Sequence, residues 1–316
     1  MKTKEQILSR LIENSDEYIS GQQLAQSIGV SRAAIWKGIK ALRAEGFAID
    51  AVTNKGYRLG KENDILNAPL VQAEIENSAV RVIYYPTIDS TNTQAKRLIN
   101  EGVQNDLLII SEEQTNGRGR QGKSFYSPAL TGIYMTLVTH PMTALTNAVT
   151  ATTAAAVAVC RAIENLTDIE PKIKWVNDVY VNDKKVCGIL TEAVTDFETQ
   201  TVTSVIIGIG MNIKTLDFPG DVENAASLGV EVKRHRLIAA ITNQLYRVLN
   251  GSIDDFISYY RSHSMIIGKR INFIKNSRVT PATALEIDET GGLVVQLENG
   301  EVTTLRSGEI SVRRVE

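Results

Sequence analysis

Cysteine is nearly absent from this chain. Only Cys160 and Cys187 occur, far apart and in no Cys-x-x-Cys spacing. That excludes a disulfide framework and a zinc knuckle, and a reducing, cytoplasmic setting is expected. Histidine is scarce too, and His140, His235 and His263 lie too far apart to suggest a zinc site. Long apolar runs are missing. The first ten residues are polar and amphipathic, without the apolar core of a signal peptide. The most lipid-like stretch, Leu145 to Cys160, carries Thr146, Asn147, Thr150, Thr152 and Thr153, so a buried helix is expected there and no membrane contact. There is no excess of positive charge: 34 Lys and Arg stand against 36 Asp and Glu, so nucleic acid can be met only by a local patch. The 316 residues are 43% hydrophobic and 22% charged, which excludes disorder and collagen and leaves room for two or three compact units.

Residues 1–60 read as one such unit. Thr3 and Gln6 have the spacing of a capping box, and Ile7, Leu8, Leu11 and Ile12 recur on one face of the helix that follows. Ser20 to Ile28 is a second short helix, Gly29 a tight turn, and Ser31 the cap of a third helix whose buried stripe is Ala34, Ile35, Ile39 and Leu42. After Gly46 the pattern changes to a hairpin, Phe47 to Val52 and Tyr57 to Leu59 around a turn at Thr53 to Gly56. Two strands after a recognition helix make a winged helix. From Ser31 to Arg58 six cations (Arg32, Lys37, Lys40, Arg43, Lys55, Arg58) stand against Glu45 and Asp50, a local net +4. Surface helices commonly carry such charge, but here it coincides with both elements that approach phosphates and a groove, so DNA binding is expected through Arg32, Lys37, Lys40 and Lys55. Gly38, a helix-weakening residue inside the third helix, counts slightly against DNA binding.

Lys61 to Ala68 is polar and stops at Pro69, the expected linker. The following unit, residues 69–267, has strand-like runs at Val80–Tyr85, Leu107–Ser111, Ile133–Thr139, Lys172–Trp175, Val179–Asn182, Lys185–Val194 and Val202–Ile209. Helical runs are Thr91–Asn100, Thr146–Glu164, Arg236–Asn250 and Ile253–Arg261. Between Lys172 and Ile209 the strands leave no room for crossover helices, so an α+β fold with a mixed or antiparallel sheet is expected rather than a doubly wound one. Residues 268–316 alternate short strands, the last ending at Arg313, with Gly-rich turns at Glu289–Gly292 and Glu298–Gly300, the pattern of a small β-barrel.

The most informative stretch is Gly117-Arg118-Gly119-Arg120-Gln121-Gly122-Lys123-Ser124. By letter it satisfies both the dinucleotide fingerprint and the P-loop. Both need a helix immediately afterwards, and Phe125 to Gly132 reads as loop, so neither phosphate site is expected. A mobile, soluble loop explains the charge but not the alternation of Gly with Arg. Such a loop can wrap an anion, glycine allowing close backbone approach and Arg forks matching phosphate or carboxylate oxygens. Three further clusters stand on strand ends: Lys174-Trp175-Val176-Asn177-Asp178, Lys185 to Glu192 around Gly188, and Gly208-Ile209-Gly210-Met211-Asn212. Ser90 and Thr91 read as a helix cap.

In this order the segments resemble biotin protein ligases, and with the winged helix in front the chain is similar to the bifunctional kind, biotin ligase and biotin operon repressor. The resemblance implies a winged helix-turn-helix, a catalytic domain related to class II aminoacyl-tRNA synthetases and lipoate ligases, and an SH3-like β-barrel. It places biotin among Ser90, Thr91, Gln114, Gly117, Arg118, Arg120, Lys185, Gly188 and Gly208. ATP falls to Arg118, Arg120, Lys123, Phe125, Asn177, Lys185 and Asn212, with Asp178 as the Mg2+ ligand. Arg118, Arg120 and Lys185 carry the catalysis. Val176 stands where many members have Pro, and Phe125 where many have Trp against adenine. The implied partners are a biotin carboxyl carrier protein domain, operator DNA and, with biotinyl-5'-AMP bound, a second copy. A ligand-sensing repressor without turnover and a lipoate ligase are the alternative readings.

Overall fold

Helix caps set the first unit as its sequence demands. Helix α1 is Thr3–Glu13, α2 Gly21–Ile28 and α3 Arg32–Ala44, followed by strands β1 (Ile49–Val52) and β2 (Gly56–Leu59). In this computed structural model every residue is described except 1–2, 15–16, 45–46, 61–63, 65, 141–147, 197, 200, 217, 221, 223, 276–277 and 313–316. Glu45, Gly46, Lys61, Leu145, Thr146, Asn147 and Arg313, named above, therefore lie outside the described residues. Ser20 and Gln23 form a reciprocal capping box on α2, which Gly29 ends in the left-handed conformation. Thr3 is already helical, so it does not cap α1. Gly38 proves useful: it is buried, and a side chain there would run into Ile7 of α1, so glycine lets the two helices close on each other. Gly56, at a φ of 114°, allows Ile19 to pair with Tyr57 and extend the wing.

Pro69 opens a helix where a linker end was expected. It lies in the first turn of α4 (Ala68–Glu74), the position at which proline's missing N–H costs nothing. Helix α4 packs against α1. Its Leu70 enters the winged-helix core, and Val71 enters the core of the next unit.

That unit comprises β3 (Arg81–Ile88), α5 (Thr91–Asn100), β4 (Leu107–Gln114), β5 (Gly132–Thr139), α6 (Ala148–Leu166), β6 (Lys172–Lys174), β7 (Asp178–Val181), β8 (Lys184–Thr195), β9 (Val202–Asn212), α7 (Arg234–Asn250) and α8 (Ile253–His263). The seven strands run in the order β3-β4-β5-β9-β8-β7-β6; β3 and β4 are parallel, joined through α5, and every other pair is antiparallel. Successive residues of β4 alternate between two cores. Leu108 and Ile110 belong to the core that includes Ala-rich α6, whereas Leu107 and Ile109 share a second core with Ala95 of α5. Among the described residues no helix is long and apolar enough to cross a membrane.

The last unit is a five-stranded antiparallel sheet, ordered β13-β12-β11-β10-β14. Its strands are β10 (Arg270–Lys275), β11 (Arg278–Ile287), β12 (Leu293–Leu297), β13 (Val302–Leu305) and β14 (Glu309–Val312).

Candidate active site

The register of the large sheet lays down the floor of a cleft. Tyr134, Gly210 and Gly188 stand in one row across β5, β9 and β8, and Thr136, Gly208 and Leu190 in the next. A methyl on Gly208 would strike Asn92, and one on Gly210 would come within 2.6 Å of the Phe125 ring. Both glycines are thus fixed by close approach, although the side chain on Gly210 is the protein's own Phe125.

The cleft holds about 180 Å³, and Ser90, Thr91, Asn92 and Gln114 are among the residues that line it. Ser90 caps α5 through the backbone N–H of Thr93. The Thr91 amide and hydroxyl donate to Gln114 Oε1 at 2.9 and 3.2 Å, and Gln114 Nε2 donates to Ser127. The Thr136 hydroxyl lies 2.8 Å from Thr91 Oγ1 and 2.7 Å from Asn92 Oδ1. These polar groups satisfy one another's hydrogen bonds, and Asn92 also donates to the Glu192 carboxylate at 3.0 Å.

Arg118, Arg120, Lys123, Lys174 and Lys185 line the same cleft. The Gly117–Ser124 segment is a hairpin, Gly119 N–H donating to Lys123 O at 2.7 Å and Phe125 N–H to Gly117 O at 2.9 Å, closed by a tight turn in which Gln121 and Gly122 take positive φ. No helix follows it before β5, so neither the P-loop nor the dinucleotide geometry is present. Arg120 donates to Asn177 Oδ1 at 2.8 Å, and Asn177 in turn donates to Asp178 at 3.0 Å. Lys185 Nζ stands 2.7 Å from Asp178. Arg118 reaches Glu192, 3.6 Å away, which also binds Lys96 at 2.7 Å. Burial opposes the charge on Glu192, but hydrogen bonds from Lys96 and Asn92 outweigh it and hold the carboxyl below its ordinary range.

Of the residues named from sequence, Ser90, Thr91, Gln114, Arg118, Arg120, Lys123, Phe125, Asn177, Asp178, Lys185, Gly188 and Gly208 all line this cleft. Gly117 and Asn212 do not. Gly117 is buried against Phe125 and Ser127, where it has room for no side chain, and buried Asn212 follows Met211 at the far end of β9. Missed from sequence were Asn92 and the barrel residues Gly308 and Ile310, which complete one wall. Trp175, in the Lys174 to Asp178 motif, donates its indole N–H to Gly291 O at 2.9 Å and so ties the site to the last unit. The Trp175–Val176 peptide is cis. Burial pushes the Cys187 thiol up, and burial with the Asp178 charge pushes the Tyr180 phenol up to about 12, so neither offers a nucleophile at neutral pH. Among the described residues no three His, Cys, Asp or Glu side chains cluster as a metal site.

In the winged helix, Arg43 is spent on the Ile49 carbonyl and Arg58 on Asp50 at 2.8 Å. Arg32, Lys37, Lys40 and Lys55 are exposed.

Residues 84–212 match the Biotin/lipoate A/B protein ligase family, residues 3–58 an HTH domain and residues 266–313 the Biotin protein ligase C terminal domain. The chain is 31% identical to the bifunctional ligase/repressor BirA of Bacillus spizizenii, over 94% of this chain and 95% of that protein. It is 28% identical to BirA of Escherichia coli, over 95% and 94%. The biotin protein ligase from Aquifex aeolicus in complex with biotin and ATP superposes at a TM-score of 0.62 and 26% identity, over 74% of this chain and 99% of that one. A three-part chain matched end to end in this way belongs to the family of bifunctional biotin ligases and repressors.

Proposed function

We propose that this cleft joins biotin to ATP and passes the biotinyl group to a lysine of a biotin carboxyl carrier protein domain, and that the adenylate-loaded chain represses biotin genes. The observation that carries the reading is the meeting, in one cleft, of a neutral polar network with Arg118, Arg120, Lys123 and Lys185. The hydrogen-bonded groups suit a compact uncharged ring system, and the cations suit two anions brought together.

In the first step a carboxylate oxygen of biotin attacks the α-phosphorus of ATP, and the bond to the β-phosphate breaks, releasing pyrophosphate. In the second the lysine amine attacks the acyl carbon, and AMP leaves. The barrier to the first step is largely electrostatic, and Arg118, Arg120 and Lys185 neutralise it from preset positions. Thr91, Gln114 and Asn92 orient biotin over the glycine floor, and the Phe125 ring meets adenine. The Gly117–Ser124 hairpin keeps water from the mixed anhydride. Mg2+ is commonly held by one or two carboxylates with phosphate and water completing its shell, and Asp178, the one carboxylate on the cleft wall among the described residues, fits that role. When bound it supplies charge neutralisation to the phosphates.

Residues 1–60 serve as the DNA-binding unit, 69–267 as the catalytic unit and 268–316 as the small β-barrel unit. One winged helix makes few phosphate contacts, so operator binding uses two copies joined when biotinyl-5'-AMP is bound. The setting is the cytoplasm. The test is biotin-dependent exchange of labelled pyrophosphate into ATP, followed by transfer of biotin to a carrier lysine. Exchange and transfer are expected; a folded chain that binds biotin without exchange is a sensor and not a ligase.

A further inference from the structure

Helix α3 divides cleanly into two faces. Ile35, Gly38, Ile39 and Leu42 are buried. The outer face carries Arg32, Trp36 and Lys40 at four-residue spacing, with Lys37 beside them, all exposed. Trp36 is 56% exposed, a large apolar side chain on the face of a surface helix. The chain has only one other tryptophan, Trp175, which is buried with its N–H bonded. An indole left in water among cations contributes nothing to the winged-helix core, so its use lies with a partner.

The surrounding charge selects that partner. Lys40 Nζ lies 5.4 Å from the Trp36 ring centroid, so ammonium and indole form one unit. Arg32 and Lys37 flank it. A protein partner presenting an apolar pocket would desolvate these cations without compensation, whereas duplex DNA offers phosphates at the groove rims and an apolar group within. In the major groove that apolar group is the C5 methyl of thymine. Trp36 is the fifth residue of α3, in the half of a recognition helix that reaches base edges.

We propose that Trp36 is a specificity-determining residue whose ring packs on the methyl of one thymine in each operator half-site, the flanking cations holding it there through phosphates. This rests on the DNA-binding reading above and deepens it.

The experiment uses the full chain saturated with biotin and ATP, and a duplex selected by it from a random-sequence library. Each thymine is replaced in turn by deoxyuridine, which removes the methyl alone. In one symmetric pair of positions the change should weaken binding about fourfold per half-site, the weight of one buried methyl-sized group, and about sixteenfold when both are changed. Trp36→Ala should bind more weakly and be indifferent to that replacement. Its salt slope should remain, because no phosphate contact is lost, while Lys37→Ala lowers the slope by about one. If every deoxyuridine duplex binds like its parent, or if Trp36→Ala loses equally on both duplexes, the assignment is overturned. Failure of the underlying reading looks different: selection yields no preferred sequence, or removing residues 1–60 leaves binding intact, and the assignment falls with it.

Discussion

Glu192 Oε1 lies 3.6 Å from Arg118 Nη2, joining strand β8 to the glycine hairpin, and it does so while Lys96 holds the same oxygen at 2.7 Å. Two cations share one carboxylate. If Arg118 turned to a substrate anion, as proposed, Lys96 would still neutralise Glu192.

Acid should therefore loosen this anchor. A carboxyl held below its ordinary range favours the folded state at neutral pH and gives up that contribution as pH falls through its folded-state value. Thermal unfolding scanned from pH 7 to 4 should show a steeper loss for the native chain than for Glu192→Gln, which has no proton to gain. Parallel curves would remove Glu192 from the linkage.

The proposed mechanism assigns Lys185, on the cleft wall beside Asp178, to the meeting of biotin carboxylate and α-phosphate. Lys185→Ala should slow pyrophosphate exchange by roughly 100-fold, the scale of one lost preset donor, and slow transfer from preformed biotinyl-adenylate far less. Rapid-quench measurement of the two half-reactions separates them, and equal loss in both would contradict the assignment.

Phe125 rests against Gly210 and Gly188, edge-on to Tyr134 at 6.4 Å. Phe125→Ala should weaken ATP binding by about 1 kcal/mol, the scale of a lost ring contact. Gly210→Ala should do the same by pushing the ring aside with the stacking residue still present. Calorimetric titration of ATP checks both, and unchanged affinity in Phe125→Ala places the ring outside the adenine site.

Buried Arg234 of α7 pairs with Glu112 of β4, donates to Asp64 O at 2.7 Å and to Gly132 O at 3.2 Å, and Glu112 also accepts from Leu130 N–H at 3.0 Å. Arg234→Met leaves Glu112 charged and buried, and should cost about 3 kcal/mol or more in urea unfolding. Adding Glu112→Gln should restore part of it. Independent, additive losses would mean the pair is not coupled.

Much of this was legible in the chain because it is local. Gly29 and Ser31 act on their own helix ends, and the glycine hairpin and the Lys174 to Asp178 cluster are continuous segments. What stayed hidden spans distance: Glu192 with Arg118, Asn92 against Gly208, Arg234 on Glu112. No spacing rule joins residues that approach only once strands have paired. Pro69 misled for a different reason, since proline ends one kind of segment and begins another. Intrinsic helix propensity alone counts Gly38 as a cost, and the crossing of α1 and α3 reverses its value.

Helix α4 makes the join between the first two units an axle and not a tether. Leu70 and Val71 are neighbours whose directions differ by about 100° on a helix, and each is seated in a different core. The DNA reader cannot be rotated against the sheet without drawing one of them out of its seat. Exchanging it for another reader therefore requires a replacement that brings its own socket for Leu70, and a chain begun at residue 61 carries that leucine into water.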